Sequence, residues 1–261
     1  MKKLLSIVFI MFTITLLSGC GVEKQSASLM EKILKNDKLV VGVKFDAKPF
    51  GYKDSDGELK GFDIDLAKKI AKNILGDENK IEFVQVTPSS RILTLTSGKV
   101  DMIVATMSIT PQRKHVVNFS TPYYVAGQAL MTPITSDIQG LTDLKDKKVI
   151  VVLGSTAERN IKHYSPRAIV QGYKSTGEAY NALKRGYGDA FTTDDTILAG
   201  IVMDDPTMKI LSKRYTQEPY AIAFRMEEES DSLRHNVNHI IEHMRDSGEL
   251  NRLKNKWLPF D

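Results

Sequence analysis

Two sets of β-α-β-α-β units with short connections, bracketed by two apolar β-rich segments, predict an α/β protein of two lobes. Each lobe is expected to be a mostly parallel sheet flanked by helices on both faces. Two crossings between the lobes, at Val125 to Met131 and at Tyr220 to Phe224, predict two hinge strands and a first lobe that is discontinuous in sequence. Two strands at a hinge permit rotation and limit its direction, which suits a cleft that shuts on a ligand.

The elements follow in order. Lys38 to Val43 is a β-rich run, and a turn at Pro49-Phe50-Gly51-Tyr52 and a loop from Asp54 to Gly57 lead from it to a helix opening at Phe62. In that helix Phe62, Leu66, Ile70 and Ile74 form one apolar stripe, while Asp63 and Asp65 bring negative charge to its N-terminus. Lys80 to Val86 reads as a second strand, Ser90 to Ser97 as a helix closed by Gly98, and Val100 to Ala105 as a buried strand. The second set runs through a strand at Lys148 to Leu153, a helix from Ser155 and a strand at Ile169 to Tyr173. It ends with a helix at Gly177 to Arg185 and a strand at Asp189 to Thr192. Helices after Ser230 return to the first lobe. The expected division is a leader at 1–19, a tether at 20–35, a first lobe at 36–128 and 221–261, and a second lobe at 129–220.

The ends and the composition set the setting. Met1-Lys2-Lys3 and the apolar run Leu4 to Leu17 have the charged and apolar regions of a secretory signal, short for a membrane span. Leu17-Ser18-Gly19-Cys20 resembles a lipobox, so Cys20 is expected to carry lipid at the start of the mature chain. Gly21 to Ser28 is small and polar and reads as a tether, with the folded body starting near Leu29. Cys20 is the sole cysteine, which rules out an internal disulfide framework. Formal charge is +4, and +2 once Lys2 and Lys3 are removed; with no basic stripe carrying aromatics, the chain lacks a nucleic-acid footprint.

Gly61-Phe62-Asp63-Ile64-Asp65-Leu66, continued by Ala67, Ile70, Ala71 and Ile74, resembles the signature of the polar amino acid-binding proteins of bacterial ABC transporters. The likeness spans about Leu39 to Trp257. It implies a two-lobed periplasmic-binding-protein-like fold of type II, a free amino acid as ligand, a permease with its own ATPase as partner, a monomer, and no cofactor or metal. It also implies a place on the outer face of the cell membrane, held by the N-terminal lipid.

Three runs carry the ligand contacts. Ala105 to Arg113 follows a buried strand, and Thr110-Pro111 is good N-cap and N1 chemistry, so this loop offers backbone N–H groups and hydroxyls at a helix start. By resemblance, Thr106 and Ser108 touch the ligand and Arg113 clamps its α-carboxylate with paired hydrogen bonds. Leu153-Gly154-Ser155-Thr156-Ala157-Glu158 has a Ser-x-x-Glu capping box. Resemblance places Thr156, with backbone from Gly154 and Ser155, on the opposite wall. In Gly188 to Asp195 the family's ammonium-binding aspartate falls on Asp194, and Asp195 is expected to cap the following helix.

The side-chain end is read from Lys44 and Arg91. A lysine at the first position favours an anionic side chain, and Arg91 resembles the arginine that acidic-amino-acid binders set against a distal carboxylate. Two cations facing one side chain favour glutamate or aspartate, because the wrong partner leaves a buried charge unpaired. Thr176 is a further candidate by position. Glutamine stays open, since related glutamine binders carry lysine here. Phe50 and Tyr52 are read as core aromatics outside the site.

Other signals lead elsewhere. His239-Ile240-Ile241-Glu242-His243 matches the spacing of inverted zinc peptidases, with His235 one turn earlier, yet no further ligand follows well downstream. No phosphate-binding loop or dinucleotide fingerprint occurs, so transport energy must come from a partner. Two further classes share the fold, a dehydratase of small acids and a receptor's sensor domain. The first needs a spare cleft acid and the second a signalling segment, and neither is found.

Overall fold

The computed structural model describes residues 27–258. The leader, Cys20 and the first part of the tether, up to residue 26, lie outside the described residues. The second half of the expected tether is helical: Leu29–Asn36 form helix α1. Ser28 accepts the Glu31 N–H at 3.2 Å and Glu31 accepts the Ser28 N–H at 2.9 Å, so both ends of the capping box close. Leu29 and Ile33 then join the core of lobe 1, which therefore begins before residue 36.

Lobe 1 opens with β1 (Leu39–Val43), a small antiparallel sheet of β2 (Asp46–Ala47), β3 (Gly51–Lys53) and β4 (Leu59–Lys60), and helix α2 (Phe62–Leu75). The expected turn at residues 49–52 is the bend into β3. β5 (Ile81–Gln85), α3 (Arg91–Thr96), β6 (Met102–Ile103), α4 (Pro111–Lys114) and β7 (Asn118–Phe119) follow. β8 (Tyr124–Ala126) leads to β9 (Gln128–Pro133) in lobe 2.

Lobe 2 continues with β10 (Lys148–Val152), α5 (Thr156–Tyr164), β11 (Ile169–Tyr173), α6 (Thr176–Lys184), β12 (Ala190–Asp194), α7 (Asp195–Asp204) and β13 (Met208–Ile210). β14 (Glu218–Tyr220) pairs with β8, and β15 (Ala223–Phe224) re-enters the first sheet, ahead of α8 (Asp231–Asp246) and α9 (Glu249–Trp257).

The two sheets share one plan. In lobe 1 the order is β5-β1-β6-β15-β7, with β1 parallel to β5 and β6 and β15 antiparallel to both of its neighbours. In lobe 2 it is β11-β10-β12-β9-β13, with β10 parallel to β11 and β12 and β9 antiparallel to both of its neighbours. β1 and β10 are apolar on both faces because helices cover both, as α2 does through the buried stripe of Phe62, Leu66 and Ile70.

Gly61 shows why that helix starts where it does. Its φ is +132°, and a Cβ there would lie 2.1 Å from the Phe50 carbonyl oxygen. The chain can thus press α2 onto β3, and Phe50 packs edge-on against Phe62, Tyr124 and Tyr220 beneath the strand pair β8/β14. Phe50 and Tyr52 lie outside the cleft, with Tyr52 edge-on to Trp257. No described helix is long and apolar enough to cross a membrane.

Candidate functional site between the lobes

Strand ends from both lobes meet in one crevice, at the place where open α/β sheets bind ligands. It is lined by Lys44 after β1, Pro88 and Arg91 at the start of α3, and Thr106 and Ser108 after β6. Val152, Ser155, Thr156 and Ala157 at the start of α5, with Thr193 and Asp194 at the end of β12, face them. The space left between these walls is about 10 Å³, so the lobes must part to admit an amino acid. A larger groove of about 520 Å³ behind lobe 1 is open to solvent, and two of its lysines, Lys32 and Lys38, are ion-paired with Glu229 and Glu82.

Direct contacts hold the closed arrangement. The Gly177 N–H, at the start of α6, donates to Asp46 Oδ2 across the lobes at 3.0 Å, and Lys48 pairs with Asp204 at 2.7 Å. Arg159 Nη1 donates to Gln112 Oε1 at 2.9 Å. Gly154, with φ +78°, comes so near the Pro88-Ser89 backbone that a Cβ would sit 2.8 Å from Ser89 Cα. Only glycine lets the two walls approach this far.

Seven of the expected site residues line the crevice: Lys44, Arg91, Thr106, Ser108, Ser155, Thr156 and Asp194. Arg113 and Gly154 stand beside it and touch each other. Thr110 caps α4 by accepting the Arg113 N–H at 3.2 Å, and the guanidinium then donates through Nη1 to the Ser108 carbonyl at 2.8 Å and through Nη2 to the Gly154 carbonyl at 3.2 Å. It bridges the lobes with a charged group that is nine-tenths buried. Thr176 is buried at the first position of α6, near the Asp46 contact and outside the crevice lining.

Several expected roles change. The Gly154 N–H donates to Glu158 Oε2 at 2.9 Å and the Ser155 N–H to the Val152 carbonyl at 3.2 Å, so neither is a free donor toward a ligand. Glu158 reaches Gly154 rather than Ser155, leaving only half of the capping box, the Glu158 N–H to Ser155 Oγ at 3.2 Å. Asp195 is not the cap of α7 but its first residue, and its carboxylate takes the Gly127 N–H at 3.1 Å and pairs with Arg214. Asp194 stands at the cap position and makes no capping bond with its side chain, which accepts a hydrogen bond from the Tyr220 hydroxyl instead.

Arg91 differs most. Its Nη1 donates to the carbonyls of Ala105 at 2.7 Å and Thr106 at 3.3 Å, which braces the loop of lobe 1. Burial, then the nearby Arg113, pushes its guanidinium toward losing charge. Among the described residues, the Lys44 ammonium has no hydrogen-bond or ion-pair partner, although the residue is buried. Burial, then Arg91, pulls its ammonium down to about 8, against the pull of Asp46, Asp194 and Asp63. Asp194 is pushed up to about 6, by burial first and by Glu218 second, with the Tyr220 bond opposing.

Sequence reasoning missed Asp63, Tyr123 and Tyr220. Asp63 is expected only to bring negative charge to the start of a helix, but its side chain turns inward, is fully buried and accepts the Thr106 N–H and the Tyr123 hydroxyl, each at 2.9 Å. Asp65 does face outward, taking the Trp257 Nε1–H at 2.8 Å and pairing with Lys256. His235, His239 and His243 are exposed along α8, and no group of three or more metal-binding side chains is gathered among the described residues.

A crevice walled by two similar lobes and crossed by two strands defines a two-lobed solute-binding protein. The chain belongs to the bacterial extracellular solute-binding proteins, family 3, matched over residues 39–260. It is 40% identical over 272 residues to the ABC transporter glutamine-binding protein GlnH of Bacillus subtilis (strain 168), covering 100% of this chain and 99% of that protein. It is 42% identical over 229 residues to a glutamine-binding protein of Geobacillus stearothermophilus, with 81% and 87% covered. Among solved structures it resembles an ancestral arginine-binding protein bound to glutamine, with a TM-score of 0.80, 40% identity, and 85% of this chain and 98% of that chain covered. It is an amino acid-binding, substrate-binding protein of the ABC transporter type, and its relatives here are solute-binding proteins rather than enzymes.

Proposed function

We propose that this protein captures free glutamine outside the cell and delivers it to a permease driven by a separate ATPase. The observation that carries the choice of side chain is Lys44, a buried ammonium with no hydrogen-bond acceptor among the described residues and three carboxylates around it. A carbonyl oxygen of the ligand completes Lys44, while the nearby carboxylates suit an amide N–H₂ and oppose a second carboxylate. Glutamate and aspartate are supported less well than the sequence alone suggests, because Arg91 commits Nη1 to backbone carbonyls and keeps only its buried Nε without a partner, which leaves Lys44 as the fuller cation for the distal end. Two glutamine-binding relatives at 40% and 42% identity support the same reading.

The zwitterionic end is held by both lobes. Arg113, with the hydroxyls of Thr106, Ser108 and Thr156, takes the α-carboxylate, and Asp194 takes the ammonium. Each lobe supplies part of the grip, so the closed state is the one that binds. The strand pair β8/β14 is the hinge. Lipid on Cys20 holds the receptor at the outer face of the membrane, and replacing Cys20 with serine is expected to release the protein into the medium.

A thermal-shift screen of the folded protein against the common amino acids tests the reading, since a ligand that binds only the native state raises the melting temperature by mass action. Glutamine is expected to give the largest rise. A larger rise with glutamate or aspartate returns the assignment to an acidic ligand, and a larger rise with arginine overturns the Lys44 argument.

A further inference from the structure

Thr106 is a β-branched residue held at φ +43°, in the left-handed region that side chains branched at Cβ rarely enter. It is buried, lines the crevice, and its Oγ1 has no partner within the protein. Something must hold that conformation and something must complete that hydroxyl. The Thr106 N–H is bound by Asp63 Oδ2 at 2.9 Å, from a residue 43 positions earlier on α2. The other carboxylate oxygen takes the Tyr123 hydroxyl, just before β8. Each Asp63 oxygen therefore has a donor, one on the ligand loop and one on the approach to the hinge.

We propose that Asp63 is a positioning residue of the binding site: its carboxylate fixes the strained turn at Thr106 and so aims the Thr106 hydroxyl at the amino acid. Asp63 lies behind the wall and acts through Thr106. A charge-assisted bond to a backbone N–H is strong enough to hold one residue in a costly backbone region. The Arg91 bonds to the Ala105 and Thr106 carbonyls fix the same turn from its other side. Lys44, Arg91, Tyr123 and Tyr220 are the charged or titratable groups that act on this carboxylate.

The inference rests on the reading of the crevice as the amino acid site. The test is glutamine titration of the full chain at neutral pH, in wild type and in Asp63→Asn, Asp63→Ala, Thr106→Gly and the Asp63→Ala/Thr106→Gly pair. Asparagine keeps an acceptor for the Thr106 N–H, and the Tyr123 hydroxyl can turn to accept from its amide. Asp63→Ala is expected to weaken binding by about tenfold or more and Asp63→Asn by no more than about threefold. In the Thr106→Gly background, where the left-handed turn costs little, the further loss from Asp63→Ala is expected to shrink.

Equal affinity of wild type and Asp63→Ala overturns the proposal. So does a loss in Asp63→Asn as large as in Asp63→Ala, or an undiminished loss in the glycine background. Should Asp63→Ala not fold, the Thr106 amide proton resonance decides without any ligand. Burial pushes the Asp63 carboxyl up to about 6, so that resonance is expected to move with a midpoint near there in wild type and to stay flat in Asp63→Asn. A flat wild-type resonance also overturns it. If wild type ignores glutamine, the functional reading fails instead, and the same variants are compared with whichever common amino acid stabilises wild type.

Discussion

The two walls of the crevice do similar work with different means. On the lobe 2 side, the wall is made of helix starts: Ser155 caps α5 through the Glu158 N–H, and Asp194 stands where β12 becomes α7. The Ser155 contact spans only three residues, and only Asp194 reaches further, to Tyr220. On the lobe 1 side, the wall is a loop braced from behind by Asp63 and Arg91, with a strained Thr106 at its centre. A wall of helix starts is stable by itself, whereas a braced loop depends on distant groups staying charged and aligned. The charged groups Arg113 and Asp194 are where the two must agree.

Removing a charge at that junction is expected to have the largest effect. On the proposed reading, Arg113→Ala deletes the clamp for the α-carboxylate and leaves an anion unpaired in a buried site, a loss of roughly 2–5 kcal/mol, or about thirtyfold to several thousandfold in Kd. On the same reading Asp194→Asn removes the partner of the ligand's ammonium and should be similarly severe. Calorimetric titration with glutamine measures both. If either variant binds as wild type does, the site is not held from two sides.

Gly154→Ala comes next and asks how closely the walls must approach. The φ of +78° and the 2.8 Å to Ser89 Cα mean the added methyl cannot fit while the lobes are shut. Affinity is expected to drop by about tenfold or more with a smaller effect on unfolding, because the strain belongs to the closed form. Small-angle scattering should show wild type contracting with glutamine and the variant contracting less.

The buried charges of the two walls also predict how binding depends on pH. Asp194 and Asp63 are both raised from 3.8 to about 6, so the native state holds their protons more tightly than the unfolded chain does. Their contribution to stability increases as pH falls from about 6 toward 4. Lys44 is lowered from 10.5 to about 8, so its contribution rises as pH climbs from about 8 to 10.5. Between those windows all three are charged and the burial penalty is undiminished. That is the interval in which an amino acid supplies the missing partners, so the melting-temperature rise given by glutamine should be largest between about pH 6 and 8. Lys44→Met should weaken binding by about tenfold and remove the alkaline fall that Lys44 causes, leaving only that of the ligand's own ammonium. An unchanged alkaline limb in Lys44→Met excludes that ammonium from the site.

How far each wall could be read from sequence follows the same division. The starts of α4 and α5 were legible at Thr110-Pro111 and Ser155 because capping chemistry is local, whereas Thr156 and Asp194 were placed by family resemblance. Arg91 was found, but its bracing bonds were not, since their acceptors lie 14 and 15 residues further on, in a loop whose shape no local pattern fixes. Asp63 reads only as a charge at a helix start, because nothing near it in sequence marks the inward turn toward partners 43 and 60 residues away. Short strands such as β7 and β13 carry too few residues for a period and are set by their neighbours in the sheet. The sheet order needed the long-range pairing itself.

The smallest expected effect separates stability from binding. Ser28 and Ser155 have the same capping role, but Ser28 sits at the far end of lobe 1, in a box closed on both sides, while Ser155 lines the crevice. Ser28→Ala should lower stability by about 0.5–1 kcal/mol, read as a fall of roughly 2–4 °C in melting temperature. Glutamine affinity should not change, because α1 touches only the core of lobe 1 through Leu29 and Ile33. Ser155→Ala should lower both, since loosening the first turn of α5 also moves Thr156. Equal effects of the two substitutions on affinity would show that binding tracks overall stability, and the distinction drawn between a self-supporting wall and a braced one would lose its basis.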